Sequence, residues 1–340
     1  MKIRLALLFS VCISFAFAQK NPSKIRIAFY NPENIFDTIN DTKKNDEEFL
    51  PEGKNKWNTN KYEIKLKHTA RVVSEINDGK GADIIGFSEI ENKSVLVDLT
   101  TKTELKKQNY DIVHHDSPDE RGIDVGLIYK KDLFSVIESK AYNIRFPFDT
   151  TEKTRDILLV KGVVKKNKAK LYILVNHWPS RRGGENESEP KRIFVAERVK
   201  QIVDSIAKKE NDACFVLMGD LNDTPKNKSI LEGLKTVSDS TKTEAGSLFN
   251  MMAELEKKGK GTHFYKGERS MLDQFIVSTN LFGGKKLYTY SNSATIFEQD
   301  WLMEKHPKTG EIQPFRTFVG NKFIGGYSDH LPVYFDLYVK

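Results

Sequence analysis

The sequence predicts one mixed α/β domain, rich in strands and not built on a regular βαβα alternation. Three observations carry this. Apolar runs with high β-branched content recur along the whole chain, and short runs of this kind, alternating or continuous, are the signature of strands. Only two segments carry a clear helical period, so strands outnumber helices and a simple doubly wound sheet is excluded. No repeat and no Ser/Gly-rich or Pro-rich linker divides the 340 residues, so a single domain is expected over 19–340.

The chain opens with Lys2 and Arg4, an apolar run from Leu5 to Phe17, and Ala16-Phe17-Ala18 before Gln19. A positive start, a short apolar stretch and small residues at the exit describe a secretory signal peptide over 1–18, cleaved after Ala18. A retained anchor helix would need roughly 20 apolar residues, more than this run supplies. Lipid attachment at Cys12 would leave an oddly apolar mature start. The expected location is therefore secreted or periplasmic, with no stable membrane span after processing.

Strands are expected at Ile25 to Tyr30, Ile84 to Phe87, Val125 to Tyr129, Ile157 to Val164, Leu171 to Val175, Phe215 to Met218, Phe275 to Val277 and Val333 to Val339. Between the first two, Tyr62, Leu66, Ala70, Val73 and Ile76 recur at helical spacing, with Lys61, Lys65 and Lys67 read as a solvated face. A second helix is expected to open near Ser188 and Pro190 and to run through Val195, Val199, Ile202 and Ile206. Residues 37–58 and 280–325 are polar and loop-like, either rim or lid segments or surface insertions without a role.

Composition narrows the class further. Hydrophobic content of 39%, charged content of 30%, 11 Pro and 21 Gly exclude collagen, long disordered tails and a polytopic membrane protein. Net charge is +7, and removal of the leader leaves 52 basic against 47 acidic residues, which permits an anionic substrate without requiring one. After cleavage Cys214 is the only cysteine, so no internal disulfide can form, and Ala213 to Met218 reads as a buried strand.

What separates this chain from other α/β domains is the placing of carboxylates, carboxamides and histidines at strand ends, where sites are built. Asn31, Glu89, His177, Asp220 with Asn222, and Asp329 with His330 all flank apolar runs. Each alone reads as a cap or turn residue. Met218-Gly219-Asp220-Leu221-Asn222-Asp223 is sharper, because an acid and a carboxamide two residues apart can hold a water beside a phosphoryl oxygen. Hard oxygen donors without a Cys/His cluster suit Mg²⁺, Mn²⁺ or Ca²⁺ rather than structural zinc.

The set Phe29-Tyr30-Asn31-Pro32-Glu33-Asn34, Phe87-Ser88-Glu89, Asn176-His177-Trp178-Pro179-Ser180, Gly219-Asp220-Leu221-Asn222, Leu272-Asp273-Gln274 and Ser328-Asp329-His330 resembles the endonuclease/exonuclease/phosphatase superfamily, in its order and over residues 29–332. The resemblance implies a four-layer αββα sandwich, two packed and mostly antiparallel sheets flanked by helices, with the site at one edge. It also implies cleavage of phosphate esters with a divalent cation, Mg²⁺ first and Mn²⁺ or Ca²⁺ as alternatives.

By the same resemblance, Glu89 is the principal metal ligand, with Asn31 and Asp329 as further candidates. Asp220 and Asn222 resemble the pair that orients or activates water and holds the scissile phosphate. His177 and His330 resemble the two catalytic histidines of the pancreatic-type deoxyribonucleases, with Asp124 expected behind His177 and Asp273 behind His330. Arg155 sits where that branch has a phosphate-contacting arginine. Arg181, in Arg181-Arg182-Gly183-Gly184 just after His177, is a second candidate phosphate grip.

Other residues are read more plainly. His114 and His115 are adjacent in a strand and point to opposite faces, so they do not easily share one ion. Lys43-Lys44, Lys130-Lys131, Lys165-Lys166 and Lys257-Lys258 are read as solvated, and His68, His263 and His306 carry no motif. Trp57, Trp178 and Trp301 are candidates for base stacking, Trp178 equally for a pocket wall. The leading functional expectation is a secreted endonuclease acting on the phosphate backbone of extracellular DNA or RNA. The alternatives are a phosphatase or a phospholipid or sugar-phosphate phosphodiesterase of the same superfamily, and a non-catalytic binding module. No base-reading feature and no oligomer are implied.

Overall fold

The computed structural model describes residues 23–265 and 267–340; the expected signal peptide lies outside the described residues. Among those described, no helix is long and apolar enough to cross a membrane. The expected strand runs form β1 (Ser23–Tyr30), β2 (Ile84–Ile90), β4 (Asp124–Lys130), β6 (Ile157–Val164), β7 (Ala169–His177), β8 (Phe215–Asp220) and the strands Asp273–Ser278 and Val333–Val339. In the two large sheets, β3 (Tyr110–His114), β5 (Phe134–Tyr142) and the short strands Thr236–Val237, Leu248–Asn250, Leu287–Tyr288 and Thr295–Ile296 were not legible as such, nor was the helix α2 (Lys93–Thr101). They carry few buried apolar residues or lack a clean period.

Two seven-stranded sheets result. In the first, the order is Leu287–Tyr288, Val333–Val339, β1, β2, β4, β3, with Thr295–Ile296 also on the C-terminal strand. In the second, it is β5, β6, β7, β8, Asp273–Ser278, Leu248–Asn250, Thr236–Val237. Each sheet is mostly antiparallel but holds a central parallel pair, β1 with β2 and β7 with β8. Strand alternation then divides the side chains. From β1, Ile25, Ile27 and Phe29 face the other sheet and join Val175, Met218, Phe275 and Phe335 in a core between the sheets. Ala28 and Tyr30 turn outward onto Leu66, Ala70 and Val73 of α1 (Thr59–Glu75) and Leu96 and Leu99 of α2. On the far side Leu174 and Leu217 meet Val195, Val199 and Ile202 of α3 (Glu185–Ala207). The layers are therefore helix, sheet, sheet, helix, as expected.

The sheets approach closely where β2 crosses β7 and β8. A Cβ on Gly86 would lie 2.5 Å from the Met218 sulfur, so glycine is needed there. Asn58 and Asn92 cap α1 and α2, accepting from Lys61 N at 3.1 Å and Val95 N at 3.0 Å.

Three expectations are corrected. The helix α3 starts at Glu185, one turn earlier than Ser188 and Pro190 suggested, from Gly184 at φ 131°; Pro190 sits inside it. Lys65 is not solvated: it is buried on the inner face of α1 and donates to Thr317 Oγ1 and to the Tyr327 carbonyl at 2.7 Å. Cys214 precedes β8 and is half-buried, its thiol pushed up to about 11 by burial and Asp212. The segments 37–58 and 280–325 also pack on one another. Phe49 and Trp57 from the first meet Phe318 and Phe323 from the second, and Phe36 stacks on Phe49 at 4.1 Å. Trp57 and Trp178 are buried and cannot stack bases.

Candidate active site

The two parallel pairs explain why the functional residues meet. Parallel neighbours end on the same edge, so Asn31 after β1, Glu89 near the end of β2, His177 at the end of β7 and Asp220 at the end of β8 share one rim. Antiparallel strands begin there, which brings in Asp273 and, just before Val333, Asp329 and His330. Register fixes the centre: Asp220 lies between His177 and Asp273 as cross-strand partner of both.

Asp220 is the hub. Its Oδ2 lies 3.6 Å from His177 Nε2 and 3.8 Å from His330 Nε2, and accepts from Asn31 Nδ2 at 3.1 Å. Its Oδ1 accepts from Asn222 N at 3.0 Å. Burial pushes the Asp220 carboxyl above its ordinary value, with the His330 charge opposing. The two imidazoles are driven apart. His177 is held well below its usual range by burial, with the Arg155 and Arg121 charges adding to it. Burial also pulls His330 down, but Asp273 and Asp220 outweigh it and hold the ring well above its usual range. Asp273 Oδ2 sits 2.7 Å from His330 Nδ1, the pairing expected from the resemblance.

The expected partner of His177 is different. Asp124 accepts from Ser117 N at 2.9 Å and lies 3.1 Å from His114 Nε2, so it backs His114 within the first sheet. Register is the reason: His114, at the end of β3, pairs with Gly126 of β4 and so stands beside Asp124. The His177 Nδ1 atom is buried without a hydrogen-bond partner among the described residues.

Glu89 sits at a bulge between Phe87 and Ile90, at φ 54°. Its Oε2 accepts from Asn34 N at 2.9 Å, and its Oε1 lies 3.9 Å from His177 Nε2. Asn31 Oδ1 accepts from Glu33 N at 3.0 Å. Asp329 Oδ2 holds Arg316 at 3.0 Å, and its other neighbours His263 and His330 form with it one close group of ligand-type atoms. Asp220, Asp273 and His330 form a second such group, in which Asp273 Oδ1 is buried and unpartnered. The hard oxygen donors at this rim, Glu89 with Asn31 and Asp329, are of the kind that fits a divalent cation.

The two arginines expected to grip phosphate are largely spent on the protein. Arg155 is buried; its terminal nitrogens donate to Asp119 Oδ2 at 3.1 Å and to the Trp178 carbonyl at 2.5 Å. Arg181 donates to the Asn222 carbonyl at 2.8 Å and pairs with Glu185 and Asp223. Arg181 braces the loop that carries Asn222 and Arg155 the loop after His177; the two loops meet where Asn222 Nδ2 donates to the Trp178 carbonyl at 3.0 Å.

Three participants had no signal in the sequence. His263 packs its ring 4.7 Å from that of His330 and is pulled down to about 4 by burial and the His330 charge. Lys65 arrives from α1 because its helical face turns inward. Arg316 bridges Glu33 Oε1 at 3.2 Å and Asp329. Glu33 lay inside a quoted motif, yet only the fold shows it buried against Thr317 N.

The family model for the Endonuclease/Exonuclease/phosphatase family matches residues 26–339. The chain belongs to that family. No curated protein matches it significantly by sequence. Solved structures of family proteins share the fold at low identity. A Bacteroides thetaiotaomicron endonuclease/exonuclease/phosphatase family protein superimposes with TM-score 0.56 at 15% identity, covering 94% of this chain and 99% of its own. A mannosyl-6-phosphatase from the same organism gives 0.56 at 15%, covering 92% and 99%. TDP2 from D. rerio, complexed with a single strand DNA product, gives 0.55 at 15%, covering 93% and 99%. As a family member the chain is a metal-dependent phosphoric ester hydrolase.

Proposed function

We propose that the chain is an exported phosphodiesterase that hydrolyses nucleic acid, DNA or RNA, with Mg²⁺ as the working cation and Mn²⁺ as a substitute. The observation that supports it most is the pair of imidazoles facing one carboxylate oxygen, 3.6 and 3.8 Å from Asp220 Oδ2, with opposite charge preferences. Paired groups pushed to opposite protonation states are the arrangement acid and base chemistry needs.

In this reading His177 accepts a proton from the attacking water at Nε2, and Asn222 aligns that water. The water oxygen bonds to phosphorus as the ester P–O bond breaks. His330, kept as imidazolium by Asp273, gives its Nε2 proton to the leaving oxygen, so a phosphomonoester and an alcohol result. Asp220, between the rings, returns the proton from His177 to His330 for the next turnover. Contacts near 3.7 Å in the free enzyme shorten with substrate, as catalytic hydrogen bonds commonly do. Glu89 would hold the cation, with Asn31 and Asp329 beside it, and the bound ion supplies charge against the phosphoryl oxygens.

The experiment is a substrate panel of plasmid DNA, RNA, sphingomyelin, mannose 6-phosphate and nucleotides, with and without chelator, on wild type and Glu89→Gln. Cleavage of DNA or RNA that chelator abolishes and Glu89→Gln lowers on the order of 10²-fold or more supports the proposal. Intact nucleic acid with turnover of mannose 6-phosphate overturns it in favour of the phosphatase reading that one structural neighbour suggests.

A further inference from the structure

The His114-His115 pair and Asp124 take no part in the reaction proposed above, yet the fold gathers three acid and imidazole groups at that corner of the first sheet. His114 ends β3 and pairs with Gly126 of β4, so Asp124, two residues before Gly126, shares its face of the sheet. Asp116 follows just past the end of β3. One ligand-type atom from each of His114, Asp116 and Asp124 lies within 4.8 Å of the other two. His115 is bonded elsewhere, its Nε2 3.0 Å from Ser139 Oγ. Among the described residues, no lysine or arginine pairs with Asp116 or Asp124; the one ion-pair partner of both is His114.

The contact between His114 and Asp124 points to an ion independently. Nε2 lies 3.1 Å from Asp124 Oδ2, a hydrogen-bond length, and both side chains are shut from solvent, at 2% and 3% exposed. Nε2 nevertheless makes no hydrogen bond with any described residue, so the oxygen stands off the line of the ring nitrogen. Two ligands of one ion meet in this way. With metal bonds of about 2.0–2.2 Å, neighbouring ligand atoms stand roughly 3 to 3.5 Å apart, each aimed at the ion and past the other. The second oxygen of Asp124 accepts from Ser117 N at 2.9 Å, which fixes the carboxylate as an outer partner fixes a metal ligand. Asp116 is 84% exposed, so this side opens to solvent and leaves a position for water.

We propose that His114 Nε2, Asp124 Oδ2 and an oxygen of Asp116 bind a Zn²⁺ ion, separate from the cation of the catalytic rim. One imidazole with two carboxylates is a donor set that suits zinc, where the rim offers harder oxygen ligands. The ion ties the start of β4 to the end of β3 and closes the loop 115–123 between them. That loop carries Asp119, which holds Arg155 at 3.1 Å, so the ion steadies the loop that braces the segment after His177. The site does not depend on which phosphate ester is cleaved.

The test titrates Zn²⁺ calorimetrically into the full chain, with Mg²⁺ in excess to keep the catalytic rim occupied, for wild type, Asp116→Ala and His114→Gln. Wild type is expected to bind one Zn²⁺ that Asp116→Ala binds about tenfold or more weakly and that His114→Gln does not bind. Zn²⁺ is also expected to raise the Tm of wild type more than that of either variant, by mass action. Circular dichroism checks that both variants fold. Asp116 is exposed, so if His114→Gln fails to fold, Asp116→Ala decides alone. The rim offers zinc a rival seat at His263, Asp329 and His330, and His263→Ala is the control for it. Zinc affinity lost in His263→Ala and kept in Asp116→Ala and His114→Gln overturns the proposal and puts the ion at the rim. No binding of Zn²⁺ to wild type also overturns it and leaves His114 and Asp124 an ordinary ion pair.

Discussion

At His330 the Asp273 carboxylate closes on Nδ1 at 2.7 Å, whereas the Nδ1 of His177 has no hydrogen-bond partner among the described residues. The two rings therefore differ in kind, one an acid oriented by a carboxylate, the other kept neutral by burial. Asp273 is a chief cause of the raised His330 value, so Asp273→Asn lowers that value. In the mechanism proposed above His330 acts as the imidazolium, so the alkaline limb of the kcat/KM profile is expected to move to lower pH in Asp273→Asn. Rate also drops, since tautomer and orientation suffer. Asp124→Asn, acting on His114, leaves the limb where it is. A metal-saturated pH profile of both variants against wild type checks this; an unmoved limb in Asp273→Asn would remove Asp273 from its role. Backbone conformation adds to the residue scale. Glu33, Asn34, Glu89 and Asn222 all take positive φ, between 51° and 58°, at a cost of about 1–2 kcal/mol each. Such strain persists only where surroundings impose it, and here hydrogen bonds from Asn34 N to Glu89 and from Asn222 N to Asp220 do so.

The element that ties the catalytic rim to the outer layer is α1, through Lys65. Burial pulls the Lys65 ammonium down, with Glu33 and Asp329 opposing, and burial pushes the Glu33 carboxyl up. Each compensates the other, and Lys65 also holds the segment 317–327 just before Asp329. Replacing Lys65 by Met keeps the length but leaves the buried Thr317 hydroxyl and Tyr327 carbonyl without their donor and Glu33 and Asp329 sharing Arg316 as cation, which costs about 3 kcal/mol. Chemical denaturation of Lys65→Met is expected to show that loss; a midpoint equal to wild type would mean that Lys65 contributes nothing. The period of Tyr62, Leu66, Ala70, Val73 and Ile76 located the helix. It did not say that its apolar stripe was wide enough to take Lys65 inside.

For the whole molecule, acid stability reports how α3 is fastened to the second sheet. Glu210, just past the end of α3, accepts from Tyr172 Oη at 2.8 Å, from Lys170 at 3.0 Å and from Lys161 at 3.2 Å. These bonds, Tyr172 first, lower its carboxyl to about 2. A carboxyl depressed in the folded state binds protons more readily when unfolded. Its contribution is therefore complete above the unfolded value of about 4.3 and is lost as pH falls toward 2. Glu210→Gln is expected to unfold more easily than wild type at pH 6, with the gap closing between about pH 4.3 and 2. Equilibrium unfolding at pH 6, 4 and 2.5 measures it; a gap independent of pH would assign the effect to packing.

By itself the sequence determined the strand-rich fold, eight strands of its two large sheets, the helices α1 and α3 and the polar residues that gather at the candidate rim. Local period and the chemistry of turn residues report these, and the motifs at Asn31, Glu89, His177, Asp220 and Asp329 stand at strand ends where period stops. What only the tertiary structure decided is partnership. Asp124 went to His114 and not His177, because the β3–β4 register sets His114 beside it. Arg155 and Arg181 turned inward to brace the loops after His177 and around Asn222, and His263 and Arg316 joined the site from segments with no motif. Which groups meet depends on register between strands far apart in the chain and on the packing of insertions on one another. Neither leaves a local mark on the residues concerned.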